Sequence, residues 1–566
     1  MSPVGFQALF HEPFKGIPMP SLSPKFAGGM AAAVALATAF AGAQAATTPL
    51  YSGGGTLAEK VYRDIFNQYG SNASGDLCSL SSTTGGGTLP STYCSSSPYN
   101  SSVEALYVGV GSGNGKKALD TYNPANYVAG SKKPDNPPVP SGRDFGAFYG
   151  AGTGSGWAPG TGVGPFYPSV TFSGSDDPLN SSDISTYSAL PTTYGPLVEF
   201  PAITVAVTVP FTPTAGWTPK NKVLAGGSSA VNLSTNTLCG IWTGAITNWN
   251  NAEITKDNKG TQLGSGTIVP VFRNDGSGTT FLFSNGLLNQ CGTASHPVST
   301  HPFPDAWLTA AVQGTAITYN ATPTPILSKF YSNDNFFINV FKAGLLPSNF
   351  YNNAAFSGVT GGCSGSGGVL KCVDATPGAL GYLSPDFVKP IATGNDTNGN
   401  PIAATANLQT YYTYSNGLTA VYEPPSAAHA VYIMSSATPP SFTGGATAPA
   451  TNPLNWGVVN PIPSNVNAYP IGGFTFIDLY SCYASKTTLT ALVGTTAKQL
   501  GLFRWYVGST SENAGIPLNT LAANGFSQVP NGWLTAIKTL LTSNTYTKLG
   551  TPKLAKTACA TVANGA

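Results

Sequence analysis

The residues with the most chemical potential lie in one run, Arg273-Asn274-Asp275-Gly276-Ser277-Gly278-Thr279-Thr280. Arg273 offers a guanidinium fork that matches the oxygens of a tetrahedral oxyanion, and Asp275, two residues on, is placed to hold that fork. Ser277 and Thr279 add hydroxyl donors, while Gly276 and Gly278 let the backbone come close. The run joins a β-branched, aromatic segment, Ile268 to Phe272, which predicts a strand, to a segment that predicts a helix, Phe281 to Gln290. A tight turn feeding a helix leaves first-turn amides without partners at the positive end of the helix dipole. The combination therefore predicts a site for an anion such as phosphate or sulfate.

Two further stretches use the same device. Tyr51-Ser52-Gly53-Gly54-Gly55-Thr56-Leu57 runs into a predicted helix over Ala58 to Tyr69, in which Leu57, Val61, Ile65 and Tyr69 recur every fourth residue and Gly70 marks the end. Leu106 to Val110 reads as a strand, followed by Gly111-Ser112-Gly113-Asn114-Gly115 before Lys116. A nucleotide-binding P-loop does not fit there, because its first glycine would fall on Val110 and its hydroxyl residue on Lys117. Three glycine-led helix starts near Thr56, Ser112 and Ser277 point to one anion held from several sides. Phe172 to Leu179 brings in a carboxylate, Asp176, after another extended run. The apolar run from Phe200 to Val209 predicts a strand that either crosses between two domains or lies in a parallel sheet. Residues 134–140 and 148–164, rich in Pro and Gly, read as a long insertion serving as a surface loop or a flap over a cleft.

The chain has 566 residues, enough for two full cores. Charged residues make up only 8%, and the net charge is +2. No basic patch supports nucleic-acid binding, and solubility rests on Ser, Thr, Asn and Gly. Lys15 and Lys25 precede an apolar stretch from Phe26 to Ala41 and an Ala43-Gln44-Ala45 site, the pattern of a signal peptide cleaved after Ala45. The apolar stretch is shorter than a membrane span, so the mature chain is expected to be exported and not membrane-embedded. The eight cysteines all lie beyond it, an even number that suits disulfides in an oxidising compartment. Cys78 with Cys94 and Cys363 with Cys372 are short local closures, leaving Cys239, Cys291, Cys482 and Cys559 open in their pairing. With no CxxC pair and with His11, His296, His301 and His429 scattered, neither a metal nor a redox cofactor is expected.

Thr56-Leu57, Gly109-Val110-Gly111-Ser112, Ser175-Asp176 and the Arg273 to Thr279 run occur in the order used by the phosphate-binding proteins of phosphate ABC importers. The segment Leu238 to Trp249 also resembles that family's Gly-x-Ile-Trp region, and Gly378-Ala379-Leu380-Gly381-Tyr382 resembles its Gly-Ala-Ile-Gly-Tyr strand. Within the superfamily the likeness is greatest to the DING proteins, through Leu238-Cys239-Gly240, Cys291, Tyr469 to Thr475 and Cys482-Tyr483-Ala484. The resemblance spans about residues 50 to 545.

This resemblance implies an α/β protein with the type II periplasmic-binding-protein fold, in which two α/β domains joined by a two-strand hinge enclose a ligand cleft. Domain one would comprise residues 46–205 and 470–566, and domain two residues 206–469. It also implies pairing of Cys239 with Cys291 and of Cys482 with Cys559. The implied ligand set for inorganic phosphate is Thr56, Leu57, Ser112, Asp176, Arg273, Ser277, Gly278 and Thr279, with Asp275 supporting Arg273. Asp176 carries the chemical discrimination. A carboxylate facing an oxyanion is repulsive unless the ligand brings a proton to donate, as hydrogen phosphate does and sulfate does not. Leu57 stands where many relatives have Phe, the insertion before Asp176 is long, and residues 395–465 add surface that the resemblance does not explain.

The expected function is therefore reversible capture of phosphate by a monomeric periplasmic or secreted protein, for an ABC importer permease or for scavenging, without catalysis. The alternatives are a secreted DING-like phosphatase and a surface adhesin on the same scaffold. No Gly-x-Ser-x-Gly elbow or two-metal carboxylate cluster supports the phosphatase.

Overall fold

The computed structural model describes residues 48–70, 98–127, 168–212, 214, 231–291, 348–351, 363, 365–388, 404–495, 499–542, 549 and 558–566. The leader, the Cys78 and Cys94 closure and the insertion over 134–164 lie outside these residues, as do His11, His296 and His301.

A six-stranded mixed sheet forms the first lobe. Its strands are β1 (Thr48–Gly54), β2 (Val103–Gly109), β3 (Phe172–Ser175), β4 (Leu197–Ala206), β12 (Gly472–Tyr480) and β13 (Ser527–Gln528), in the order β13-β4-β12-β3-β1-β2. The parallel pairs β1/β2 and β1/β3 bring the carboxyl ends of three strands to one rim. Each strand then delivers a chain segment to that rim. Helix α1 (Glu59–Tyr69) follows β1, helix α2 (Ser112–Asp120) follows β2, and Asp176 follows β3 directly. Gly70 ends α1 as its spacing predicts, donating to the Phe66 carbonyl in an extended conformation.

The second lobe is built on two small sheets. One has the order β7-β8-β5-β9, from Val269–Pro270, Ala379–Leu380, Pro210–Phe211 and Ala404–Thr405. The other has the order β11-β10-β6, from Tyr422–Glu423, Asn407–Gln409 and Asn232–Leu233. Around them pack α3 (Thr235–Trp242), α4 (Gly278–Cys291) and α5 (Gly365–Ala375). Trp242 sits at the centre, with its ring 4.8 Å from Phe283 and 5.7 Å from Tyr382.

Two antiparallel strands carry the chain between the lobes. β4 is buried throughout and pairs with β12 along its length, from Leu197 opposite Tyr480 to Ala206 opposite Gly472. The apolar run over 200–209 is thus a crossing strand in an antiparallel ladder, not a member of a parallel sheet. Beyond Ala206 its backbone changes partners: Val207 N donates to Ile471, Thr208 N to Leu383 and Val209 N to the Thr405 hydroxyl. The hinge therefore keeps its amides satisfied while the chain passes from one sheet to the other.

Disulfides link Cys239 to Cys291, Cys363 to Cys372 and Cys482 to Cys559. The first ties α3 to the end of α4, and the last fixes the C-terminal tail against the first sheet. The described part of the segment over 395–465, from residue 404 on, contributes to packing: Trp456 meets Trp533 at 6.1 Å, and Trp533 Nε1 donates to Ala437.

Candidate functional site

The three glycine-led helix starts meet at Asp176. Ser112, the first residue of α2, uses its hydroxyl to accept from the Asp176 amide at 3.0 Å and to donate to Asp176 Oδ2 at 3.4 Å. The Thr279 hydroxyl, at the start of α4, lies near enough to favour the charged Asp176 carboxylate, but it is buried without a hydrogen-bond partner among the described residues. Thr56 and Leu57 border the same point through Gly55, where an added Cβ would stand 2.6 Å from Asp176 Oδ1. All of these residues are buried, Asp176 to 2% exposure and Ser112, Ser277 and Thr279 to 0%. The Thr56 hydroxyl oxygen is buried without a hydrogen-bond partner among the described residues.

Close backbone approach explains two of the glycines. Gly111 has φ of +85°, and a Cβ there would meet the Gly276 carbonyl at 2.4 Å. A Cβ on Gly278 would lie 2.5 Å from both Asp176 Cβ and Ser112 Oγ. Both contacts run between lobes, so side chains at these positions would hold the lobes apart. Helices α1 and α2 have no side-chain cap, whereas the helix at Thr235 is capped by Ser234. Uncapped starts leave amides available to an anion.

Arg273 supplies the positive charge, and its side chain is 1% exposed. Its Nε donates to Asp275 Oδ1 at 2.6 Å and its Nη2 pairs with Asp275 Oδ2. Asp275 also accepts from Gly365 N at 3.2 Å, which anchors the fork to the start of α5. Burial pushes the Asp176 carboxyl up from its ordinary value to about 7; the Arg273 charge opposes this and neighbouring Asp177 reinforces it. Lys116 takes no part in the site. It forms a buried ion triad with Asp177 at 3.0 Å and Asp183 at 2.9 Å, behind Asp176.

Sequence reading missed several supports. Tyr382 accepts from Arg273 N at 3.1 Å and shares a 2.8 Å bond with the Thr280 hydroxyl, fixing the turn from below. Glu59 accepts from Gly109 N at 3.1 Å, and the Ser366 hydroxyl reaches the Thr56 carbonyl at 3.4 Å. Tyr382 lay within a segment already singled out, but nothing local marked its hydroxyl. Two expected boundaries also move: β7 is only Val269–Pro270, and α4 begins at Gly278 because the Ser277 hydroxyl caps Thr280 N at 3.1 Å.

With this geometry in hand, comparison with known proteins is specific. Residues 96–436 match the sequence model of a family described as a PBP superfamily domain. The chain belongs to the PBP superfamily. Among its relatives, "Alkaline phosphatase L" of Pseudomonas aeruginosa strain UCBPP-PA14 is 26% identical over 480 residues, covering 82% of this chain and 90% of that protein. A "Phosphate-binding protein" from an unknown prokaryotic organism is 27% identical over 395 residues, covering 67% and 82%. The crystal structure of a phosphate binding protein from Stenotrophomonas maltophilia superposes with a TM-score of 0.55 at 21% identity, over 92% of this chain and 100% of the other. Its likeness supports the fold: this superfamily member has the type II periplasmic-binding-protein fold, with two α/β lobes and a two-strand hinge. Among the described residues no helix is long and apolar enough to cross a membrane.

Proposed function

We propose that this protein is an extracytoplasmic solute-binding protein that reversibly captures inorganic phosphate between its lobes. The single observation that carries the reading is the buried Asp176 carboxyl, ringed by hydroxyls and helix starts from both lobes and faced by Arg273. An isolated buried anion loses several kcal/mol of hydration and must be met by nearly complete hydrogen bonding. Thr56, Leu57 and Ser112 from lobe one would donate from one side, and Ser277, Gly278 and Thr279 from lobe two from the other. Arg273 supplies full charge, oriented by Asp275. Asp176 accepts the proton that phosphate carries.

In this reading lobe one is residues 46–205 with 470–566, and lobe two is residues 206–469. Capture requires the lobes to close, with β4 and β12 absorbing the motion. Residues 1–45 direct export, and the ligand is passed as a monomer's cargo to an ABC importer permease. The relatives named phosphate-binding protein support this function. Calorimetric titration of the mature protein with phosphate tests it: one site per chain is expected, and absence of heat at any temperature overturns it.

A second reading, a secreted phosphatase, is favoured by the name of the Pseudomonas aeruginosa relative. Turnover of a chromogenic phosphate ester by pure protein, abolished by Ser277→Ala, would support it over simple capture.

A further inference from the structure

We propose that Lys60 is a positioning residue for lobe closure, clasping the Phe387 ring across the cleft and so setting how long a captured anion is held. The inference rests on the phosphate-capture reading. Lys60 Nζ lies 3.2 Å from the Phe387 ring centroid, over the negative face of the ring. The partners belong to different lobes. Lys60 stands in the first turn of α1, four residues after Thr56, and the buried face of that helix, through Val61, Ile65 and Tyr69, joins the main core. Phe387 ends a short turn, Pro385–Phe387, and packs with Val369, Val373 and Val388 in a separate core of lobe two.

Two further contacts converge on the same helix start. Asp386, beside Phe387 and buried, feels the Lys60 charge and is bonded by the Ser384 hydroxyl. The Ser366 hydroxyl reaches the Thr56 carbonyl from lobe two at 3.4 Å. The segment that presents Thr56 and Leu57 is thus gripped by lobe-two groups outside the ligand set. Such contacts exist only while the lobes are together. They favour the closed state over the open one and slow release, while leaving first encounter with the anion unchanged.

Stopped-flow release of phosphate from the full mature chain tests this, using wild type, Lys60→Ala, Phe387→Ala, the double variant and Lys60→Arg. The two single variants should each release phosphate roughly tenfold faster with an unchanged association rate, and the double variant should be no faster than either. Lys60→Arg should restore slow release, because a guanidinium also stacks on a ring, whereas a merely structural lysine would not split the two rates in this way. Release rates within twofold of a phosphate-binding wild type overturn the clasp and leave the capture reading standing. If wild type holds no phosphate, the capture reading falls. The clasp is then decided by spin-label distances between Thr121→Cys and Lys256→Cys: a wider distribution in Lys60→Ala supports it, and an unchanged one overturns it.

Discussion

The Ser112 hydroxyl is committed twice to Asp176, accepting from its amide at 3.0 Å and donating to its Oδ2 at 3.4 Å. It therefore fixes the direction in which the carboxylate faces the rim. Ser112→Ala removes a hydrogen bond that favours the charged carboxylate and leaves the Asp176 amide buried without that acceptor. Phosphate affinity is expected to fall roughly tenfold to a hundredfold, the usual range for a bond to a charged group. Titration calorimetry of the variant checks this.

Gly278 provides a steric test of closure. Its Cβ would meet Asp176 and Ser112 at 2.5 Å, so Gly278→Ala must push the lobes apart. Phosphate binding should be lost, while the unfolding free energy falls by only about 1–3 kcal/mol. In the same helix, Gly286→Ala adds a methyl that meets the Ile471 side chain at 3.1 Å, and it should bind normally. Calorimetry and denaturant unfolding of the pair separate these effects.

Acid pH should stabilise the ligand-free protein. Burial raises the carboxyls of Asp176 to about 7, Asp386 to about 6 and Asp478 to about 8. Each is an acid whose folded value lies above its unfolded one, so its contribution is full below the unfolded value and is lost as pH rises through the folded value. Melting temperature without phosphate is therefore expected to fall between about pH 4 and pH 8, and Asp176→Asn should flatten that slope. Thermal scans across the range measure it.

The Lys116 triad is a stability element distinct from binding. Lys116→Met would leave Asp177 and Asp183 facing each other without their cation, in a site where the lysine side chain is 3% exposed. Removing one member of such a buried group costs about 3–5 kcal/mol. Chemical denaturation should show that loss, and Lys116→Met with Asp177→Asn and Asp183→Asn should recover part of it.

Local pattern made much of this legible. The fourth-residue spacing of Val61, Ile65 and Tyr69 marks α1, and the apolar run at 200–209 marks the crossing strand, because burial on one face or on both leaves a periodic trace. The glycine and hydroxyl pattern near Ser112 and Ser277 marked the loops, since only small residues allow the backbone to come that close. What escaped were relationships across the chain. Tyr382 supports Arg273 from 109 positions away, and Glu199 lies opposite Asp478 across β4 and β12, both fully buried. Neither position carries a local signature. The strand expected over 268–272 is only Val269–Pro270: it pairs with β8, Val271 N donating to the Leu380 carbonyl, while among the described residues its outer edge meets no further strand and takes a single bond from Tyr351 N to the Pro270 carbonyl.

The central claim is that Asp176 accepts a proton from the captured anion, and competition calorimetry tests it directly. Phosphate is titrated into wild type and Asp176→Asn at about pH 8.5, above the value to which burial raises the carboxyl, with and without a large excess of sulfate. The account predicts that sulfate leaves phosphate binding by wild type unchanged and displaces phosphate from the variant, whose amide can donate to an unprotonated oxyanion. Equal competition by sulfate in both proteins would contradict it.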